Sequence, residues 1–187
     1  MPKKPQAINK NAIRNKYQEL GVEQYYAQHG AAYDNPHFAQ IDQLLVQNQA
    51  QLDYSNVLDF CCGSGEVSLA LSKLGYEAKA SDPFTFEAYA KNTGKICWKY
   101  TFEDVVKTPI NHQFSAIICS FAMHLCPDAQ LFPLVYNLFQ STSTLVIITP
   151  HKRPELEKYE GIKLSFEDFA LTQRGKKVRL KAYISSF

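Results

Sequence analysis

Between residues 56 and 149, strand-like and helix-like segments alternate along the chain. Apolar runs over 56–61, 77–81, 95–100, 114–120 and 144–149 read as strands, and amphipathic segments over 66–74, 84–91 and 127–139 read as helices. Repeated strand, helix, strand order requires a mainly parallel sheet with helices on its faces, so the expected class is α/β in three layers. The run Thr144-Leu145-Val146-Ile147-Ile148-Thr149 has the β-branched composition of a strand buried on both sides. After Pro150 the pattern changes. Residues 151–160 leave room for about two turns of helix, and two further strand-like runs, 166–173 and 176–184, flank Arg174-Gly175 as an antiparallel hairpin. Five parallel strands plus the hairpin make seven.

The first strand runs into a tight turn. Val57-Leu58-Asp59-Phe60 gives way to Cys61-Cys62-Gly63-Ser64-Gly65, and an amphipathic helix opens at Glu66. Gly63 and Gly65 lack a Cβ, so the main chain there can take left-handed angles and come close to a ligand at a helix N-terminus. Such a turn cradles a nucleotide, and two cofactor classes compete for it. A dinucleotide fingerprint has a third glycine three residues after the second, where this chain has Ser68, and it makes no use of an acid inside the first strand such as Asp59.

Asp59-x-Cys61-x-Gly63-x-Gly65 resembles the first motif of the class I S-adenosylmethionine-dependent methyltransferases. The similarity continues over 56–187. Asp82-Pro83, just past the second strand, resembles the family's acid that bonds the cofactor ribose. Phe102-Glu103-Asp104-Val105 is similar to the loop where an acid reaches the adenine amino group beside an apolar contact, with Glu103 and Asp104 both eligible. Ser120 to Leu125, including His124, resembles the segment lining the methyl-transfer site. The resemblance implies S-adenosylmethionine as cofactor and a seven-stranded, Rossmann-like sheet in the order 3-2-1-4-5-7-6. It implies a cofactor site made of Asp59, Cys61, Gly63, Gly65, Asp82, Pro83, Glu103, Asp104, Val105, Ser120 and Tyr33. Cys61 departs from the pattern, since the family's first turn glycine falls there. An aspartate ahead of a helix is also a good cap, a second reading of Asp82 that the sequence leaves open.

At 187 residues with 45% hydrophobic and 20% charged content, the chain is expected to fold as a single domain. The expected divisions are a flexible basic leader over 1–11, an N-terminal helical lid over 12–54 and a Rossmann-like core over 55–187. In the lid, Asn35 as cap and Pro36 at the first turn are expected to start a helix whose apolar face holds Phe38, Ile41, Leu44 and Leu45. The five cysteines have no disulfide-like spacing and fall mostly on buried strands, which points to a reducing compartment, cytoplasmic or nuclear. No apolar run reaches the roughly 20 residues of a membrane span, and the histidines have no ligand spacing, so neither membrane nor metal is expected.

Transfer of a sulfonium methyl is an in-line displacement that mainly requires alignment and desolvation. An acceptor that carries a proton also needs a base, for which the candidates are His124 and, from the lid, Tyr26 and His29. Packing is the competing role for all three. The expected acceptor is a small molecule. Methyltransferase-like binding without catalysis is one alternative, and RNA or protein as acceptor is another. The latter comes from Arg174, Lys176, Lys177, Arg179 and Lys181 with Lys152 and Arg153, cations that could meet an anionic partner on a wet strand face. Nothing in the sequence speaks to oligomeric state.

Overall fold

The computed structural model describes Gln24, Tyr25 and residues 29–187. A helical stretch reaching His29 passes into a 3-10 turn, Gly30–Ala32. Helix α1 (Phe38–Gln47) follows, then β1 (Val57–Phe60), α2 (Glu66–Lys73), β2 (Ala78–Ser81), α3 (Phe86–Thr93) and α4 (Phe102–Lys107). The chain continues through β3 (Ala116–Ser120), a 3-10 turn at Met123–Leu125, α5 (Asp128–Phe139) and β4 (Thr144–Thr149). A last 3-10 turn, Leu156–Lys158, leads into the hairpin of β5 (Ile162–Leu171) and β6 (Lys177–Ser185). The expected basic leader over 1–11 and the start of the expected helical lid, 12–23, lie outside the described residues.

Among the described residues the sheet has six strands in the order β2-β1-β3-β4-β6-β5, parallel from β2 to β4 and antiparallel from β4 to β5. This is the expected order with the outermost strand missing. The segment expected as a strand over 95–100 contributes one bridge, Ser81 to Trp98. Its exposed Ile96 (92% accessible) and its position past the edge of the sheet explain why the pairing does not spread. Helix α1 begins at Phe38 and not at Pro36. The Asn35 side chain instead accepts from the His37 amide, which closes a local turn before the helix.

Each strand splits its side chains between two cores, as period-two alternation demands. Leu58, Phe60, Ile117, Cys119, Leu145 and Ile147 face the layer holding α5. Val57, Ala116, Ile118, Val146, Ile148, Val178 and Leu180 face the layer holding Ile41, Leu44 and Leu45 of α1 and Val67 and Leu71 of α2. Three layers follow. The hairpin corrects the expected wet face: Lys181 is only 5% exposed and its Nζ donates to the Lys152 carbonyl at 3.0 Å, while Arg179 pairs with Glu167 at 2.7 Å. The loop after β4 folds back and supplies that carbonyl, which local sequence spacing does not reveal. Among the described residues no helix is long and apolar enough to cross a membrane.

Ile118 lies in the middle of β3 with no exposed surface. Ile118→Ala is expected to cost about 2–5 kcal/mol through lost burial and a residual cavity, measured by urea denaturation with the m-value unchanged.

Candidate functional site

The carboxyl ends of β1, β2 and β3 open into a cavity of about 570 Å³. That is the usual size for a small-molecule cofactor site, and the end of a parallel sheet where strand order reverses is its usual place. The turn after β1 gives Cys61, Gly63 and Glu66 to the wall, and the turn after β2 gives Asp82, Pro83, Phe84 and Thr85. Tyr100 to Glu103 close the far side, Ser120 to Ala122 with Leu125 and Pro127 close the β3 side, and Tyr33 and Asn35 cover from the N-terminal segment.

Asp82 ties these walls together. Its Oδ1 accepts from the amides of Phe84 (2.9 Å) and Thr85 (2.8 Å), and its Oδ2 accepts from the amide of Gly63 at 3.3 Å. The residue thus holds its own turn and also lines the cavity, while the position that caps α3 is Thr85 and not Asp82. Cys61 has φ 59° and Phe121 φ 56°, each directly after a strand at the cavity rim. Left-handed backbone costs a non-glycine residue of order 1 kcal/mol, which accounts for a glycine at the Cys61 position in the motif that the sequence resembles. Gly63 has φ +57°, and a Cβ there would stand 2.9 Å from Tyr33 Cε1 and 3.1 Å from Glu66 Oε2. Only a bare main chain lets Tyr33 close over the turn.

Asp59 is buried behind the turn and does not line the cavity. Its Oδ2 accepts from the Ser68 amide at 3.1 Å and from the Ser68 hydroxyl at 2.8 Å, clamping the first turn of α2 to β1. Burial raises its pKa well above the carboxylate range, and the Ser68 bonds pull the other way. Its Oδ1 has no partner among the described residues. Gly65, with φ +97°, caps α2 from a position packed against Thr93 and Tyr89. Glu66, unremarked in the sequence, is 4% exposed, lines the cavity and accepts from the Ser64 hydroxyl and the Asn35 amide. Burial raises its pKa. An acid at the first helical position is ordinary for the helix dipole, so no local signal separates this one from a surface residue.

The segment expected as a loop at 102–105 is the start of α4, and this changes its residues' roles. Thr101 and Asp104 form a reciprocal capping box, in which Asp104 Oδ2 accepts from the Thr101 amide (2.9 Å) and hydroxyl (2.7 Å). These bonds lower the Asp104 pKa and turn its carboxylate away from the cavity. Val105 is buried in the core beneath. Glu103 remains on the wall and pairs outward with Lys107 at 2.8 Å. The Thr-x-x-Asp spacing was the signal that could have found this helix.

Of the proton-transfer candidates, Tyr26 lies outside the described residues, and His29 is exposed beside Tyr25, ring centroids 4.8 Å apart. Neither His29 nor His124 lines the cavity. His124 is open to solvent on one side, but desolvation on the other and the His151 ring at 4.6 Å lower its pKa to about 4. The adjacent cysteines do not pair with each other. All are free thiols: Cys61 lies beside Cys119 and Cys62 beside Cys97, where burial first and the Cys97 neighbour second raise the Cys62 pKa and the Cys62 neighbour lowers that of Cys97. Among the described residues no three His, Cys, Asp or Glu side chains converge to hold a metal ion.

Asp59→Asn is expected to remove a pH dependence. A carboxyl with a raised folded pKa stabilises the protein in its protonated form, so wild type should gain stability as the pH falls through that raised pKa towards the unfolded value near 4. Asp59→Asn should lack that gain, which thermal melts across this range would show.

No family model matches the chain. It is 31% identical over 196 aligned positions to an uncharacterized protein of Schizosaccharomyces pombe, C17A5.05c, covering 80% of this chain and 79% of that one. Among solved structures it superposes on magnesium protoporphyrin IX methyltransferase of Synechocystis with bound S-adenosylmethionine at a TM-score of 0.61 and 16% identity, covering 97% of this chain and 100% of that chain. The N-methyltransferase NodS of Bradyrhizobium japonicum, with S-adenosylhomocysteine, gives 0.60 at 14% identity over 92% of this chain and 100% of that chain. A putative RNA methyltransferase of Pyrococcus horikoshii gives 0.59 at 16% over 83% of this chain and 87% of that chain. Sheet order, glycine turn and cavity thus coincide with one fold, and the yeast similarity is close enough to fix kinship: the chain belongs to the family of the S. pombe protein and has the fold of the class I S-adenosylmethionine-dependent methyltransferases.

Proposed function

We propose that the protein binds S-adenosylmethionine in the cavity at the ends of β1–β3 and transfers its methyl group to an acceptor with a neutral nucleophilic atom. The observation that carries this reading is Asp82, an acid at the end of β2 whose Oδ2 keeps a spare lone pair on the cavity wall beside the Gly63 turn. Structural neighbours crystallised with S-adenosylmethionine or S-adenosylhomocysteine support it. So does the cradle at Gly63, where the main chain is bare and a Cβ has no room.

In this reading Asp82 accepts from the ribose hydroxyls, Phe102 and Glu103 border the adenine, and Cys61 and Gly63 border the methionine part. The bound cofactor supplies an activated methyl on a cationic sulfur. The protein contributes alignment and exclusion of water: Phe121, Ala122, Leu125 and Pro127 make the β3 side apolar, and Tyr33 covers the turn. Glu66, Asp82 and Glu103 give the wall an acidic character that suits a cation, with no Lys, Arg or His in the lining among the described residues. With no histidine on the wall among the described residues, an acceptor that is already unprotonated needs least from the site, and one that carries a proton would have to pass it to a wall carboxylate or to solvent.

Calorimetric titration tests the reading. S-adenosylhomocysteine is expected to bind, with NAD binding at least tenfold weaker. Asp82→Ala should weaken binding by about 10- to 150-fold, the loss of hydrogen bonds to a charged group worth roughly 1.5–3 kcal/mol. Asp104→Ala should cost about 1 kcal/mol of stability as a lost cap and leave affinity within twofold. Unchanged affinity in Asp82→Ala would exclude the assignment.

A further inference from the structure

The register of the sheet brings a strip of exposed cations to the same edge as the acidic cavity, with the Nζ of one of them, Lys177, 3.7 Å from the centre of the Phe169 ring. β4 runs parallel to β1 and β3, so Thr149 shares their carboxyl edge, and Arg179 of the antiparallel β6 stands opposite Thr149. Residues 174–177 therefore lie beyond that edge, beside the loop that follows β4. The bond from Lys181 Nζ to the Lys152 carbonyl, 3.0 Å, holds this loop against β6. Lys152, Arg153, Arg174, Lys176 and Lys177 are all exposed, and none takes part in the ion pairs found among the described residues. No acidic residue occurs in 149–153 or 172–179. Of the nearby acids, Glu167 pairs with Arg179 at 2.7 Å, Asp168 accepts from the neutral Asn48 amide at 2.9 Å, and exposed Glu155 follows Arg153 by two residues, so the five cations are offset in part and not cancelled. At about 4.8 Å per strand, β6 lies roughly 10 Å from the β3 side of the cavity.

A ligand that uses both features must be anionic along its length and offer neutral groups to an acidic pocket. A nucleic-acid strand has this construction, with evenly spaced phosphates and uncharged flat bases. An acidic peptide does not, because the side chains that would reach the cavity carry the charge that Glu66, Asp82 and Glu103 repel. We infer that the strip formed by Lys152, Arg153, Arg174, Lys176 and Lys177 binds the backbone of a single nucleic-acid strand and presents one base to the cavity as the methyl acceptor. The second half of this inference rests on the proposed methyl transfer, and the first half does not.

The test is fluorescence anisotropy of the full chain with labelled single-stranded RNA and DNA of about 12 nucleotides, from about 50 to 200 mM KCl, alongside titration of S-adenosylhomocysteine in the same samples. Binding should weaken steadily with salt. The variant K152A/R153A/K176A/K177A should reduce the slope of log K against log salt by about 3, at roughly 0.7 per phosphate contact on a single strand, with S-adenosylhomocysteine affinity within twofold. If that variant loses S-adenosylhomocysteine binding through misfolding, K176E/K177E serves the same readout. Absence of strand binding while S-adenosylhomocysteine still binds overturns the strip, as does an unchanged salt slope in the variant. Displacement by poly-glutamate at equal charge overturns the choice of nucleic acid. Strand binding with the expected slope but no S-adenosylhomocysteine binding supports the strip and sinks the methyl-transfer reading.

Discussion

Three backbone amides converge on the carboxylate of Asp82, and the geometry of the cavity depends on that convergence. Oδ1 holds the turn after β2 through Phe84 and Thr85, and Oδ2 holds the turn after β1 through Gly63. Two loops that would otherwise move independently share one buried anion. Hydrogen bonds to a charged acceptor are among the stronger ones, and the group lies only 7% exposed, so solvent competes weakly for it. Behind it, Asp59 clamps α2 to β1 through Ser68. The two aspartates thus fix the glycine turn from opposite sides, one in front at the cavity and one behind in the core.

Around that fixed turn the protein accepts local backbone strain. Cys61 and Phe121 both take left-handed angles directly after parallel strands, and both line the cavity. The His37 ring stacks on Phe121 at 4.9 Å with the planes 12° apart, so the strained residue is held by packing as well as by the chain. The adjacent thiols are similarly divided between neighbours, Cys61 with Cys119 and Cys62 with Cys97.

Charge is segregated along the carboxyl edge of the sheet. Acids line the cavity between β1, β2 and β3, and cations gather where β4 meets the hairpin. With a formal net charge of only +2, the whole-chain balance conceals this separation. It arises because the order β3-β4-β6 carries the basic turn across two strands from the glycine turn.

The alternation of strand and helix signals was enough to define the layers, the parallel core and the hairpin, because burial of period-two and period-3.6 faces leaves one arrangement that covers every apolar side. It also marked the turn at Gly63 and Gly65 between a strand and a helix, while Asp82 and Cys61 were singled out by the resemblance to the methyltransferase motif. Strand existence at 95–100 was not legible, since an edge segment is stabilised by its neighbour and not by its own composition. Contacts between residues far apart in sequence were likewise beyond reach of spacing. The Asn35 amide reaches Glu66, Lys181 turns inward to a loop carbonyl, and His124 faces His151 and not the cavity. The order of residues thus settled most of the elements and where the glycine turn lies. Which side chains line the cavity, and which of the charged ones stay free, was settled by packing, because distant backbone groups compete for the same polar atoms when water is excluded.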